Sequence, residues 1–453
     1  MTRHAVRRAG LALAGFAALS VLYFFLFWRL ERTSDQASIL LAGLDMLHGN
    51  WRLSGWWLSI DNFYTMEAWF YTVLIGLFGF QPMLMFVLAA MIWAGIAVLS
   101  ALVATRRVAS PMMASCIALT LIGLPIMASD QLMPTLSQVP IHTTTTAYVL
   151  ICFLLLDNAV QAPRGRGVAS LVAYTILMTV TVFGDPMAGF VAVLPVIAVS
   201  LLRMMRRHRG AGPHGSIAAL SALSAVLAAA LLWLNEHTGG FRVAPQPTVF
   251  VTLADLPDHF GFAMQSLLIY FSADFFGRSI RADAINGPIL YLLRAPLFLL
   301  LLGMLAAYLR HVWRIGHGAL TGTPATPAEA PPRDYLDELL ASSCIIAIAA
   351  AMFSSLAVPD KLATGRYYIP AFVFGATLVA RIHFTSRVFR AYCGVTLLAS
   401  AAVTALILVR TPPTPDLAGP DVHDVAAWLD THDLHDGFGP YWMSSIVTVV
   451  TQG

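Results

Sequence analysis

Long apolar runs alternate with shorter polar stretches along nearly the whole chain. The runs lie near residues 9–28, 82–104, 111–128, 144–157, 167–183, 187–202, 215–234, 287–309, 339–357, 367–382 and 389–409. An α-helix needs about 20 apolar residues to cross a hydrocarbon core of roughly 30 Å, and most runs reach or approach that length. They predict an all-α polytopic membrane protein with about 11 transmembrane helices. Two other apolar stretches read differently. Met66 to Phe80 reaches only about 22 Å as a helix, so it predicts a helix lying in the interface, with Trp69, Phe70, Tyr71 and Phe78 at headgroup depth. Phe260 to Phe276, interrupted by Gln265 and Asp274, predicts a second such piece.

Several runs fall short of 20 residues, so the charge of the loops has to decide which ends face which side. With a cytoplasmic N-terminus, 17 of the 27 basic residues fall on the inner side, among them Arg106, Arg107, Arg203, Arg206 and Arg381, on much the shorter total loop length. Counting 66–80 as a span would put Arg106 and Arg107 outside and invert every later loop. The outer side then owns the long connections, about 29–81, 129–143, 235–286, 358–366 and the tail from 410. Inner loops are short, apart from His317 to Arg333, whose Pro, Thr and Ala content predicts a flexible linker.

Composition agrees with this class: charged residues are 11% of the chain, against about 25% in soluble domains. A net charge of +3 gives no footing for a nucleic-acid partner. Cys116, Cys152, Cys344 and Cys393 all lie in apolar runs, where they pack as small hydrophobes and say nothing about compartment. Arg3, Arg7 and Arg8 precede the first run as in a signal peptide. That run is too long for an h-region and has no small-x-small cleavage site after it, so it reads as a retained anchor. There is no Gly-rich phosphate loop after a strand and no pair of repeated halves.

The sequence divides into a transmembrane domain, 1–410, and an extracytoplasmic segment, 411–453. The second part opens on a Pro-rich linker and continues into an amphipathic helix near Val422 to Leu429 and a strand-like run, Ser445 to Thr451. One helix and one strand cannot close a core, so this is expected to be a partial outer α/β segment, truncated within its domain. Its His423-Asp424, His432-Asp433 and His435-Asp436 pairs match no closed zinc spacing and read as a solvated face. No cofactor is predicted, and metal dependence stays open.

Chemistry, if present, belongs to the outer stretches, because the spans are nearly free of charge, Arg294 being the main exception. The first outer loop carries Asp35, just beyond the first span, and later Trp56-Trp57-Leu58-Ser59-Ile60-Asp61-Asn62-Phe63-Tyr64. Asp185, in the turn Gly184-Asp185-Pro186, is costly near the bilayer unless it faces a polar cavity or a partner. It can equally cap the helix that follows, with Pro186 at the first helical position. His142 precedes four threonines at a helix entrance; it and Asp61 can line a site or cap loops. Arg366 and Tyr368, in Gly365-Arg366-Tyr367-Tyr368, stand at the outer start of a span, where free amides and the helix dipole favour an anion. A snorkelling arginine is the plainer alternative. Lys361, the only lysine, lies five residues earlier, and Arg278 and Arg281 are a second choice of cation.

The early aspartate after the first span, the interfacial helix before the second, the Gly184-Asp185-Pro186 turn and the late Gly365-Arg366-Tyr367-Tyr368 together resemble the GT-C class of integral-membrane glycosyltransferases. The chain departs from that pattern in two places: Asp35 stands between Ser34 and Gln36 rather than in an acid pair, and His142 stands where many members have an acid. The resemblance implies a polyprenyl-phosphate sugar donor entering from the membrane lipid, and an acceptor hydroxyl on an unidentified glycan, lipid or protein. That only one of the 27 basic residues is lysine reads as the mark of a GC-rich bacterial genome, so a bacterial inner membrane is expected, with the site facing the periplasm or exterior. In that chemistry a carboxylate takes the acceptor's proton, a role that falls to Asp35 with Asp185 nearby. Cationic groups stabilise the departing lipid phosphate, which Arg366, Lys361 or Arg278 can supply, with Asp61, His142 and Tyr368 lining the pocket. The competing readings are a transporter or flippase of a lipid-linked glycan, and a non-catalytic membrane subunit of envelope glycan assembly.

Overall fold

The computed structural model describes residues 3–124, 142–161, 163–206, 213–245, 249–276, 288–321, 334–359, 362–382, 386–410, 418–434, 439 and 441–451. The helices in chain order are α1 (Arg3–Phe27), α2 (Ser34–Leu47), α3 (Trp69–Phe78), α4 (Leu84–Ala104), α5 (Pro111–Ala118), α6 (Thr143–Gln161), α7 (Arg164–Gly184) and α8 (Leu194–Arg206). They continue with α9 (His214–His237), α10 (Leu256–Tyr270), α11 (Pro288–Thr321), α12 (Tyr335–Phe353), α13 (Ile369–Ala380), α14 (Arg387–Arg410), α15 (Pro420–Thr431) and α16 (Tyr441–Val450). The chain is an all-α polytopic membrane protein. Among the described residues nine helices are long and apolar enough to cross a bilayer: α1, α4, α6, α7, α8 with the turn before it, α9, α11, α12 and α14.

Two of the expected spans are shorter than their apolar runs. The first, residues 111–123, is about 20 Å long and ends among other helices. Its last carbonyls take hydrogen bonds from interior side chains: Arg294 Nη2 donates to Thr120 and Leu124, Trp93 Nε1 to Ile122 and Tyr23 OH to Gly123. Arg294, the main charge expected inside a span, is fully buried and thus caps the end of a helix that finishes among its neighbours. The second is α13, in which every residue is buried, as expected of a helix that is apolar all round. At about 18 Å it is short, but the 3₁₀ turn Leu362–Tyr368 leads into it, and the two together run about 32 Å.

Charged groups collect at one end of the bundle. Arg106 and Arg107 pair with Asp157, Arg107 and Arg381 with Asp334, Arg381 with Asp337, and Arg203 and Arg206 with Glu338. These five arginines are among those that charge counting assigned to one side. At the other end the connections are laced together. Trp57–Leu58 (β1) pairs in parallel with Arg242–Val243 (β2), and Phe250 bridges to Ser354, contacts that no apolar pattern announced.

The stretch expected at the interface forms α3, entered through a π turn, Tyr64–Ala68. Trp69, Phe70, Val73, Leu77 and Phe78 are exposed along one face. Tyr71 departs from the expectation: it is fully buried, because Gly43 of α2 lets α3 approach so closely that a Cβ there would stand 2.7 Å from Tyr71 Cβ. The second stretch expected there is helical as α10 as far as Tyr270. The predicted linker from His317 is helical as far as Thr321, and residues 322–333 lie outside the described residues.

The expected strand at Ser445 to Thr451 is not a strand. Residues 441–450 form α16, which packs on α2 with Ile446 and Val449 buried. A β-branched run favours a strand only weakly when tertiary contacts oppose it, and Ile446 and Val449, three apart, share one helical face. The described part of the tail is therefore helical and docked, rather than α/β.

Candidate functional site

The first outer loop is fixed from both sides. At the start of α2 the Thr33 amide donates to Gln36 Oε1 at 2.8 Å, the side-chain return that a capping box uses, and Asp35 sits in the first turn. Asp45 then holds the following loop by accepting from Asn50 Nδ2 and Trp56 Nε1. The end of the loop is pinned to the α7 terminus: Asn62 Nδ2 donates to Phe183 O at 2.7 Å and the Phe63 amide to Gly184 O at 2.8 Å. Gly184 has to be a glycine, since a Cβ there would meet Thr65 Oγ1 at 2.7 Å. Asp61 is thereby carried to Asp185.

Asp185 fulfils both roles that its sequence context allowed. Its Oδ1 accepts from the Met187 amide at 2.9 Å, an Asx turn at the start of the next helix. Its Oδ2 meets His142 Nδ1 at 2.7 Å and accepts from Thr145 Oγ1. The other ring nitrogen, His142 Nε2, faces Asp61 Oδ2 at 3.9 Å. Phe63 (φ 49°) and His142 (φ 64°) both hold left-handed backbone, a strained state for side-chain-bearing residues that concentrates at functional sites.

Arg366, in the 3₁₀ turn before α13, reaches Asp35 Oδ2 at 3.6 Å, with its guanidinium 5.5 Å from the centre of the Tyr367 ring. Tyr367 in turn packs on the His142 ring, centroids 5.4 Å apart. Tyr368, the tyrosine singled out from sequence, is fully buried with its ring edge-on to Phe262. Asp35, Asp61, His142, Asp185 and Arg366 thus come together from four connections, whereas Lys361, Arg278 and Arg281 lie outside the described residues. Trp56 is committed to Asp45, Trp57 lies against Arg242, and Phe63 and Tyr64 pack on His142 and Phe241.

The electrostatics divide the two central acids. Burial, and then the neighbouring Asp185, push Asp61 up to about 7 against the pull of His142. For Asp185 burial also acts upward, but His142 and the hydrogen bonds from Thr145 and Met187 outweigh it and hold its carboxyl below the usual range. His142 is disfavoured as a cation by burial, yet Asp185 and Asp61 raise it above its ordinary value. His142 and Asp185 thus each favour the charged form of the other, while the carboxyl of Asp61 beside them is pushed the opposite way. Two acids driven apart in this way are the arrangement that acid–base chemistry uses. Asp61, His142 and Asp185 also place one ligand atom each within 4.8 Å of one another, the one such set among the described residues, and two carboxylates with an imidazole can hold a divalent ion.

Sequence reasoning missed Glu67. It is fully buried in the π turn ahead of α3, with Thr144 beside it but no well-formed hydrogen bond to either oxygen. Burial raises it to about 7. The available signal was that Glu67 is the single charge within the apolar stretch 66–80. Between about pH 4.5 and 7 the folded protein holds a proton that the unfolded chain releases, so this group makes stability fall as pH rises. Glu67→Gln, neutral at every pH, is expected to gain up to ~3 kcal/mol on the native protein at pH 8 and little at pH 4.5. Thermal unfolding in detergent at both pH values reads the difference; an equal gap at both would show that Glu67 does not titrate there.

No family model, curated protein or solved structure matches the chain.

Proposed function

We propose that this chain transfers a sugar from a polyprenyl-phosphate carrier to an extracytoplasmic acceptor hydroxyl, as a GT-C-like enzyme of a bacterial inner membrane. The observation that carries the reading is the convergence of Asp35, Asp61, His142, Asp185 and Arg366, from connections far apart in sequence, at the bundle end opposite the arginine-rich one. The positive-inside rule puts the arginine-rich end in the cytoplasm and this site outside.

Each part then has a role. Asp35 is the base for the acceptor hydroxyl, and Arg366 receives the charge that grows on the leaving lipid phosphate. Because these two pair at 3.6 Å, an arriving phosphate competes for Arg366 and turns Asp35 toward the acceptor. Asp185 and His142 hold the far wall. A second assignment has its own support: Asp61 is partly open and titrates at about 7, close to the ideal for a base working at neutral pH.

The test is release of free polyprenyl phosphate by the purified full chain from a panel of polyprenyl-phosphate sugars. Turnover with at least one donor is expected, and Arg366→Ala should raise the donor KM at least tenfold. An absence of turnover with every donor would overturn the reading.

A further inference from the structure

On the outer-loop side of the molecule α10 carries a polar cavity that no part of the proposed transfer chemistry uses. It measures about 520 Å³ and is lined by Asp255, Asp258, His259 and Gln265, with Phe262 and Pro359 among its apolar walls. That volume falls in the range of about 300–1,000 Å³ usual for small-molecule sites. His259 is more than nine-tenths buried, lines the cavity, and leaves its Nδ1 without a hydrogen-bond partner. A buried imidazole nitrogen without a partner costs free energy that a ligand can return.

We propose that this cavity is the acceptor subsite, binding the hydroxyl groups of a neutral glycan. The inference rests on the transferase reading for its role in catalysis, while the binding itself stands on the cavity. Three observations select the ligand. The carboxylates of Asp255 and Asp258 give the cavity a negative charge, which repels a phosphate or pyrophosphate carrier. Among the described residues, Asp255, Asp258 and His259 do not bring their ligand atoms close enough together to share a metal ion, which suits a ligand met at several points along the cavity. Carboxylate, imidazole and amide groups on one surface both accept and donate, as vicinal hydroxyls require, and Phe262 and Pro359 supply apolar walls against which a sugar ring can lie.

The position suits the role. Phe262 meets the Tyr368 ring edge-on at 6.0 Å, and Tyr270 OH, near the far end of α10, donates to Gly365 O at 3.2 Å. The helix that walls the cavity therefore also braces the turn that presents Arg366.

The probes are a panel of neutral methyl glycosides and their di- and trisaccharides, read by saturation-transfer NMR on the full chain in nanodiscs. At least one is expected to bind, with affinity at least tenfold weaker in Asp258→Asn and in His259→Gln. Asp258 is exposed, so its variant does not put the fold at risk. An absence of binding across the panel, or binding that neither cavity variant weakens, would overturn the proposal. Cavity-dependent binding in a protein that releases no polyprenyl phosphate would leave the subsite standing and remove the transferase reading instead.

Discussion

Asparagine in place of Asp35 is expected to lower polyprenyl-phosphate release at least 100-fold in a protein that still folds. The substitution keeps the shape of the side chain in the first turn of α2 and removes only its ability to take a proton, a contribution of about 10² to 10⁴ in rate. Folding should survive, because the Asp35–Arg366 pair is partly exposed on both sides and such pairs contribute about 1 kcal/mol or less. Asp61→Asn is the necessary comparison. If Asp61 is the base, the rate should rise with pH through about 7 as its carboxylate forms, and the variant should lose both that limb and the activity. Undiminished turnover in Asp35→Asn would end the case for Asp35.

The largest loss of stability is expected from Asp185→Asn, about 3–5 kcal/mol, the usual cost of removing one partner from a buried ion pair. Asparagine can still accept the Met187 amide, so the turn keeps its Asx bond while His142 loses its counter-charge. The pH dependence follows from the two shifts. His142 is raised, so its contribution is full below about 6.5 and is lost as pH climbs through the higher folded value. Asp185 is lowered, so its contribution is present above about 4 and is lost as pH falls through the lower folded value. The gap between native and variant proteins should accordingly be wide at pH 6 and narrower at pH 9, by thermal unfolding in detergent. An unchanged gap would mean that the pair is neutral.

That the chain is a bundle of long apolar helices was legible in the sequence because burial in lipid leaves a coarse signature, long apolar runs punctuated by arginine. Asp35, Asp61, His142, Asp185 and Arg366 could be nominated singly, as polar residues in the outer connections. Their assembly was not legible: His142 and Asp185 are 43 residues apart, and no spacing rule joins the entrance of one helix to the turn after the next. Glu67 escaped because the stretch around it was judged by its apolar average. Tyr367 and Tyr368 were indistinguishable as letters, and only the 3₁₀ turn decides which ring meets His142. At 445–451 local β-propensity and helical facing disagreed, and packing on α2 settled the matter.

That packing also sets a clock. The Ile446 amide donates to Ser34 Oγ, beside Asp35, across 412 residues of chain. A ribosome adding about 5–20 residues per second takes about 20–80 s to deliver the one after the other. Throughout that interval the face of α2 on which residues 441–450 pack stays open, and for most of it Asp35 has no Arg366 to face. The first turn of α2, which carries Asp35, therefore gains its packing against residues 441–450 only after they have been made.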